Sequence, residues 1–61
     1  MEDLRVLIAD DDEGMRSVMR KIVSRVEGFV LAGQAADGET ALALTEKLKP
    51  NVVFLDVEMP G

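Results

Sequence analysis

Apolar and polar positions divide the chain into five segments whose period changes from one to the next. Leu4 to Ala9 is a short apolar run, β-branched at Val6 and Ile8, with Arg5 as its one charged interruption. That is the pattern of a buried strand. From Glu13 to Val26 the spacing changes. Met15, Val18, Met19, Ile22, Val23 and Val26 fall at steps of three and four, while Arg16, Arg20, Lys21 and Arg25 take the other side. This predicts an amphipathic helix. Asp12 is placed to cap it, Glu13 suits the positive helix end, and Glu27-Gly28 closes it, with Gly28 suited to a left-handed residue.

Phe29 to Ala35 reads as a second strand with Gly33 as a weak point inside it. Asp37 caps a second predicted helix from about Gly38 to Leu48, with Ala41, Leu44, Thr45 and Leu48 facing inward and Pro50 stopping it. Val52 to Leu55 is the third strand, and Met59-Pro60-Gly61 reads as a turn. The order β-α-β-α-β predicts an α/β fold with a parallel sheet and right-handed crossovers. A continuous helical reading conflicts with Pro50, Gly28 and the β-branched runs.

The candidate chemistry sits at two strand ends. Asp10, Asp11 and Asp12 follow the first apolar run directly, and Asp56 follows the third. Strand order 2-1-3 makes those strands neighbours and sends the two helices to opposite faces, whereas order 1-2-3 puts both helices on one face. The placement of the acids favours 2-1-3, because strands one and three then meet at a topological switch point, where ligands bind beyond the carboxyl ends of strands. Like charges gathered there repel unless a cation sits among them, and Asp56 becomes a candidate nucleophile. Asp12 and Glu13 are better read as helix-capping and helix-dipole groups. Lys47 and Lys49 at the end of the second helix read as solvated charge.

Composition narrows the options. The 61 residues include no Cys and no His, which excludes disulfides and argues against zinc; a hard cation held by oxygens is the metal that fits. A net charge of −5 argues against nucleic-acid binding through this segment. No apolar stretch is long enough to span a bilayer, and Met1-Glu2-Asp3 does not open a secretory signal, so the expected location is cytoplasmic. A chain this short buries only about 60% of the surface its unfolded form exposes, so a solitary fold would be marginal.

Taken together, the motifs resemble a response-regulator receiver domain. Val6-Leu7-Ile8-Ala9-Asp10-Asp11 is similar to that family's first strand and acidic pair, Met15-Arg16 to the opening of its first helix, and Asp37-Gly38-Glu39-Thr40-Ala41-Leu42 to the start of its second. Residues 50–61, from Pro50 through Asp56 to Met59-Pro60-Gly61, resemble its third strand and phosphoacceptor loop. The resemblance covers essentially the whole chain. It implies half of a flavodoxin-like, doubly wound parallel sheet, with residues 1–61 forming a truncated receiver domain. It implies that Asp56 is a phosphoacceptor served by a histidine kinase. It also implies that Mg2+ is held by Asp10, Asp11, Asp56 and the backbone carbonyl of Glu58. The module would be an acceptor and not itself an enzyme.

The family's hydroxyl residue after strand four and lysine after strand five lie beyond Gly61, so the expectation for these residues alone is absent or slow phosphotransfer. The alternative function is a half-domain that only self-associates, as a homo-oligomer formed through the exposed third-strand edge or the first helix. Other motifs fit less well. No G-x-G-x-x-G follows the first strand, and Ala9 and Ala35 break both candidate EF-hand frames. A haloacid-dehalogenase-like phosphatase wants a second Asp where Glu58 stands, and leaves Asp10 and Asp11 unexplained.

Overall fold

The computed structural model of the chain describes residues 3–56. The elements run β1 (Leu4–Ala9), α1 (Glu13–Arg25), β2 (Phe29–Ala35), α2 (Gly38–Leu48) and β3 (Val52–Leu55). The three strands form a parallel sheet in the order β2-β1-β3. This is the expected 2-1-3 arrangement, the half-sheet of a flavodoxin-like fold.

The central strand, β1, is the most deeply buried of the three. Val6, Leu7, Ile8 and Ala9 are all fully buried, as a strand covered on both faces requires. Successive side chains alternate between the faces. Val6 and Ile8 pack with Val23 and Met19 of α1, together with Phe29, Val52 and Phe54. Ala9 packs on the other face with Ala35, Ala41 and Leu44. The helices therefore lie on opposite faces, as right-handed crossovers to either side of a central strand demand.

The weak point at Gly33 has a structural counterpart. The β1–β2 register runs Val6 to Leu31 and then Leu7 to Gly33, so Ala32 is an extra residue bulged out of β2. A Cβ on Gly33 would stand 2.9 Å from Leu48 Cδ1 and 3.5 Å from Leu7 Cδ1. The missing side chain lets the end of α2 settle onto the sheet.

Helix termini follow the sequence at their starts and depart from it at their ends. The Asp12 side chain accepts the Gly14 N–H, and that of Asp37 accepts the Thr40 N–H. The bond from the Thr40 N–H, with a side-chain bond from the same residue, holds the Asp37 carboxyl below the usual carboxylate range. Helix α1 stops at Arg25, one residue before the expected Val26, which is the extended C-cap at ψ 117°. Gly28 does take a positive φ of 91°, but in the turn beyond the helix. In α2 the left-handed cap falls on Lys49, at φ 48°, directly before Pro50.

Arg5, the charged interruption in β1, serves that same end of α2. Its guanidinium donates to the carbonyls of Leu48 and Lys49, placing a cation at the negative pole of the helix. The Arg5 N–H donates to Asn51 Oδ1 at 2.8 Å, and the Asn51 N–H returns a bond to the Arg5 carbonyl at 2.9 Å. One residue of β1 thus ties the end of α2 and fixes where β3 begins.

The apolar stripe of α1 is wider than the sheet it meets. Val23 is buried and Met19 half-buried, while Met15, Val18 and Ile22 are exposed, Ile22 by 52%. Met19, Ile22 and Phe54 line an open apolar groove of about 270 Å³ between α1 and β3.

Candidate functional site

β1 and β3 run in register, with Ala9 opposite Leu55. The residues that follow them therefore leave the sheet side by side. The Asp56 N–H donates to the Ala9 carbonyl at 2.9 Å, and the Asp10 N–H donates to the Ala35 carbonyl at 3.1 Å. These two bonds extend the ladder by one step on each side of β1. They hold the backbones of both acids at the carboxyl edge of the sheet.

One carboxylate oxygen from each of Asp10, Asp11 and Asp56 lies within 4.8 Å of the others. Asp10 is only 5% exposed, Asp56 is half-buried and Asp11 is exposed. Buried polar groups need partners, and Asp10 Oδ1 accepts the Asp12 N–H at 2.9 Å. The third acid of the run is committed elsewhere, since Asp12 Oδ1 accepts the Gly14 N–H at 2.9 Å. Capping thus removes Asp12 from the cluster, as its position before the helix implies.

Unit charges at this separation repel by about 1–3 kcal/mol per pair, depending on how far water screens them. The cluster gives that energy back to any cation that enters it. Its donors are all carboxylate oxygens, which suit a hard divalent ion. Three protein oxygens leave coordination positions for water or phosphate, the condition in which Mg2+ is usually held.

The fourth expected ligand, the carbonyl of Glu58, lies outside the described residues, as does the Met59-Pro60-Gly61 turn. Asp37 stands at the start of α2 as a cap, apart from the cluster. Sequence reading missed Arg16, whose Nη1 donates to the Asp10 carbonyl at 2.7 Å. By periodicity alone it belongs to the basic side of α1 with Arg20, Lys21 and Arg25. The available signal was its place in the first turn of a helix that starts at the acidic loop.

Residues 6–61 match the family model of the response regulator receiver domain. The chain is 47% identical over 60 residues to a protein-glutamate methylesterase/protein-glutamine glutaminase of Treponema denticola, covering 98% of the chain and 16% of that protein. It is 41% identical over 58 residues to the response regulator GacA of Pseudomonas aeruginosa, covering 95% of the chain and 27% of GacA. The chain therefore spans well under half the length of either relative. The response regulator domain of Thermotoga maritima CheB matches with a TM-score of 0.93 at 37% identity, over 98% of the chain and 45% of that domain's chain. The isolated REC domain of RcsB from Salmonella enterica serovar Typhimurium, determined in the presence of the phosphomimetic BeF3−, matches with a TM-score of 0.92 at 28% identity, over 98% and 44%.

Proposed function

We propose, given that this chain belongs to the response regulator receiver domain family, that Asp56 is its phosphoacceptor and that Asp10 and Asp11 hold Mg2+ beside it. The observation that carries this reading is the convergence of the three carboxylates at one edge of the sheet. The donor is a phosphohistidine of a histidine kinase. A carboxylate oxygen of Asp56 attacks phosphorus, the new O–P bond forms as the P–N bond breaks, and the electron pair leaves with the imidazole. Asp56 is held for this by its backbone bond to Ala9. Asp10 contributes a buried carboxylate anchored by the Asp12 N–H. Asp11 contributes an exposed one. When bound, Mg2+ neutralises charge that would otherwise oppose an incoming phosphoryl group. The backbone carbonyl of Glu58 completes the proposed protein ligands.

In this reading the chain is a signalling acceptor and not a catalyst, and it works in the cytoplasm. No helix among the described residues is long and apolar enough to cross a membrane. The methylesterase activity named for one relative belongs to a protein of which this chain matches 16%.

Thermal melts with and without millimolar Mg2+ test the ion site. Mg2+ is expected to raise the Tm of the wild-type chain, because an ion that binds only the folded state stabilises it. Asp11→Asn is expected to lose most of that rise. No rise in the wild type, or an equal rise in the variant, would refute the assignment.

A second reading, self-association, is supported by the edge at β3. Among the described residues β3 pairs with β1 alone, and Val53 and Leu55 are exposed by 39% and 55%. An uncovered strand edge favours pairing with another copy. Light scattering behind size exclusion is expected to give a dimer at high micromolar concentration, and Val53→Pro is expected to weaken it. A folded monomer at that concentration excludes this reading.

A further inference from the structure

Asp10 is held at three points, one within its own loop, one from β2 and one from a side chain of α1. Its N–H donates to the Ala35 carbonyl at 3.1 Å. Its Oδ1 accepts the Asp12 N–H at 2.9 Å. Its carbonyl accepts Nη1 of Arg16, a half-buried side chain in the first turn of α1, at 2.7 Å. The oxygen that Arg16 holds belongs to the peptide joining Asp10 to Asp11. Fixing it fixes the plane from which the Asp11 backbone departs.

We infer that Arg16 is a positioning residue for the cation site: by holding the Asp10–Asp11 peptide it keeps both carboxylates turned toward Asp56. This inference rests on the Mg2+ reading above. The three carboxylates repel, so a loop free to rotate would relax by swinging the exposed Asp11 away from the other two. A bond to the peptide oxygen opposes that motion without consuming a carboxylate oxygen. Outer groups that orient ligands in this way commonly change metal affinity about 10–100-fold when removed. Because Asp11 is exposed, the lower end of that range applies here. The charge of Arg16 acts in the opposite sense, since a cation beside the site disfavours a second one. The direction of the change therefore separates the two effects.

The test is the Mg2+ dissociation constant, measured by titration calorimetry at a temperature where circular dichroism shows each variant folded. Arg16→Met is expected to weaken binding by about tenfold. Arg16→Lys keeps the charge and one donor for the same carbonyl, and is expected to retain most of the affinity. Arg20→Met removes an equal charge from a side chain that donates to Gln34 Oε1 at 2.8 Å, away from the cluster, and is expected to leave it unchanged. Tighter binding in Arg16→Met would mean that Arg16 acts only through its charge. A lower Tm with unchanged affinity would mean that it is only structural. Either result overturns the inference. Should Arg16→Met fail to fold, Arg16→Gln, with a donor of shorter reach, carries the same comparison. If the wild-type chain shows no Mg2+ binding that Asp11→Asn abolishes, it is the metal assignment that fails, and the inference with it.

Discussion

Asp56→Asn is expected to abolish covalent phosphorylation. With acetyl phosphate and Mg2+, intact mass should show the wild-type chain gaining one phosphoryl group over hours, and the variant gaining none. The substitution keeps the shape of the side chain and the backbone N–H that bonds the Ala9 carbonyl, so the strand end stays in place. What it removes is the anionic oxygen that serves as nucleophile. Asp12→Asn is the matched control. Its carboxylate is committed to the Gly14 N–H, and asparagine caps helices about as well as aspartate. That variant should still be labelled, whereas an unlabelled Asp12→Asn or a fully labelled Asp56→Asn would assign the chemistry to the wrong acid.

Leu7→Ala is expected to produce the largest loss of stability. Leu7 is fully buried in the central strand, and its Cδ1 lies near the position a Gly33 Cβ would occupy, beneath Leu48. Truncating a buried leucine typically costs about 2–5 kcal/mol, through lost transfer energy and the cavity left behind. At about 0.05–0.15 kcal/mol per residue, a chain this size holds only about 3–9 kcal/mol in total. Urea unfolding followed by circular dichroism should therefore show the unfolding midpoint falling by about half. Leu42→Ala, at a residue 63% exposed on α2, should change the midpoint little. Equal, small effects at both positions would mean that β1 is not the packed centre of the fold.

The features legible in the sequence were those set by local period and strand-end chemistry. Apolar runs gave the three strands, the three-and-four spacing gave both helices, and Asp12 and Asp37 marked their starts. Strand order followed from one physical consideration: acids after strands one and three have a reason to converge only if those strands are neighbours. The meeting of Asp10, Asp11 and Asp56 bears that out.

Features that depend on distant partners were not legible. Nothing near Arg5 in the sequence indicates that its guanidinium would reach Leu48 and Lys49, more than forty positions away. The bulge at Ala32 depends on how β2 pairs with β1, which the composition of β2 alone does not specify. The end of α1 moved by one residue because the β-branched Val26 took an extended conformation and entered the turn to β2. The stripe on α1 locates its inward side, and the three strands cover the part around Val23 and Met19 while Met15, Val18 and Ile22 stay exposed. The role of Arg16 is not legible because periodicity distinguishes the faces of a helix but not what a long side chain on the polar face can reach.

The measurement that bears most directly on the central claim is the position of the phosphoryl group. A carboxyl phosphate is a mixed anhydride, and borohydride reduces it to an alcohol, leaving homoserine where the labelled aspartate stood. Peptide mass mapping of the reduced, phosphorylated chain should find homoserine at position 56, and at no other acid. Homoserine at position 10, 11 or 12, or a phosphate that survives as a stable ester on a hydroxyl side chain, would contradict the account.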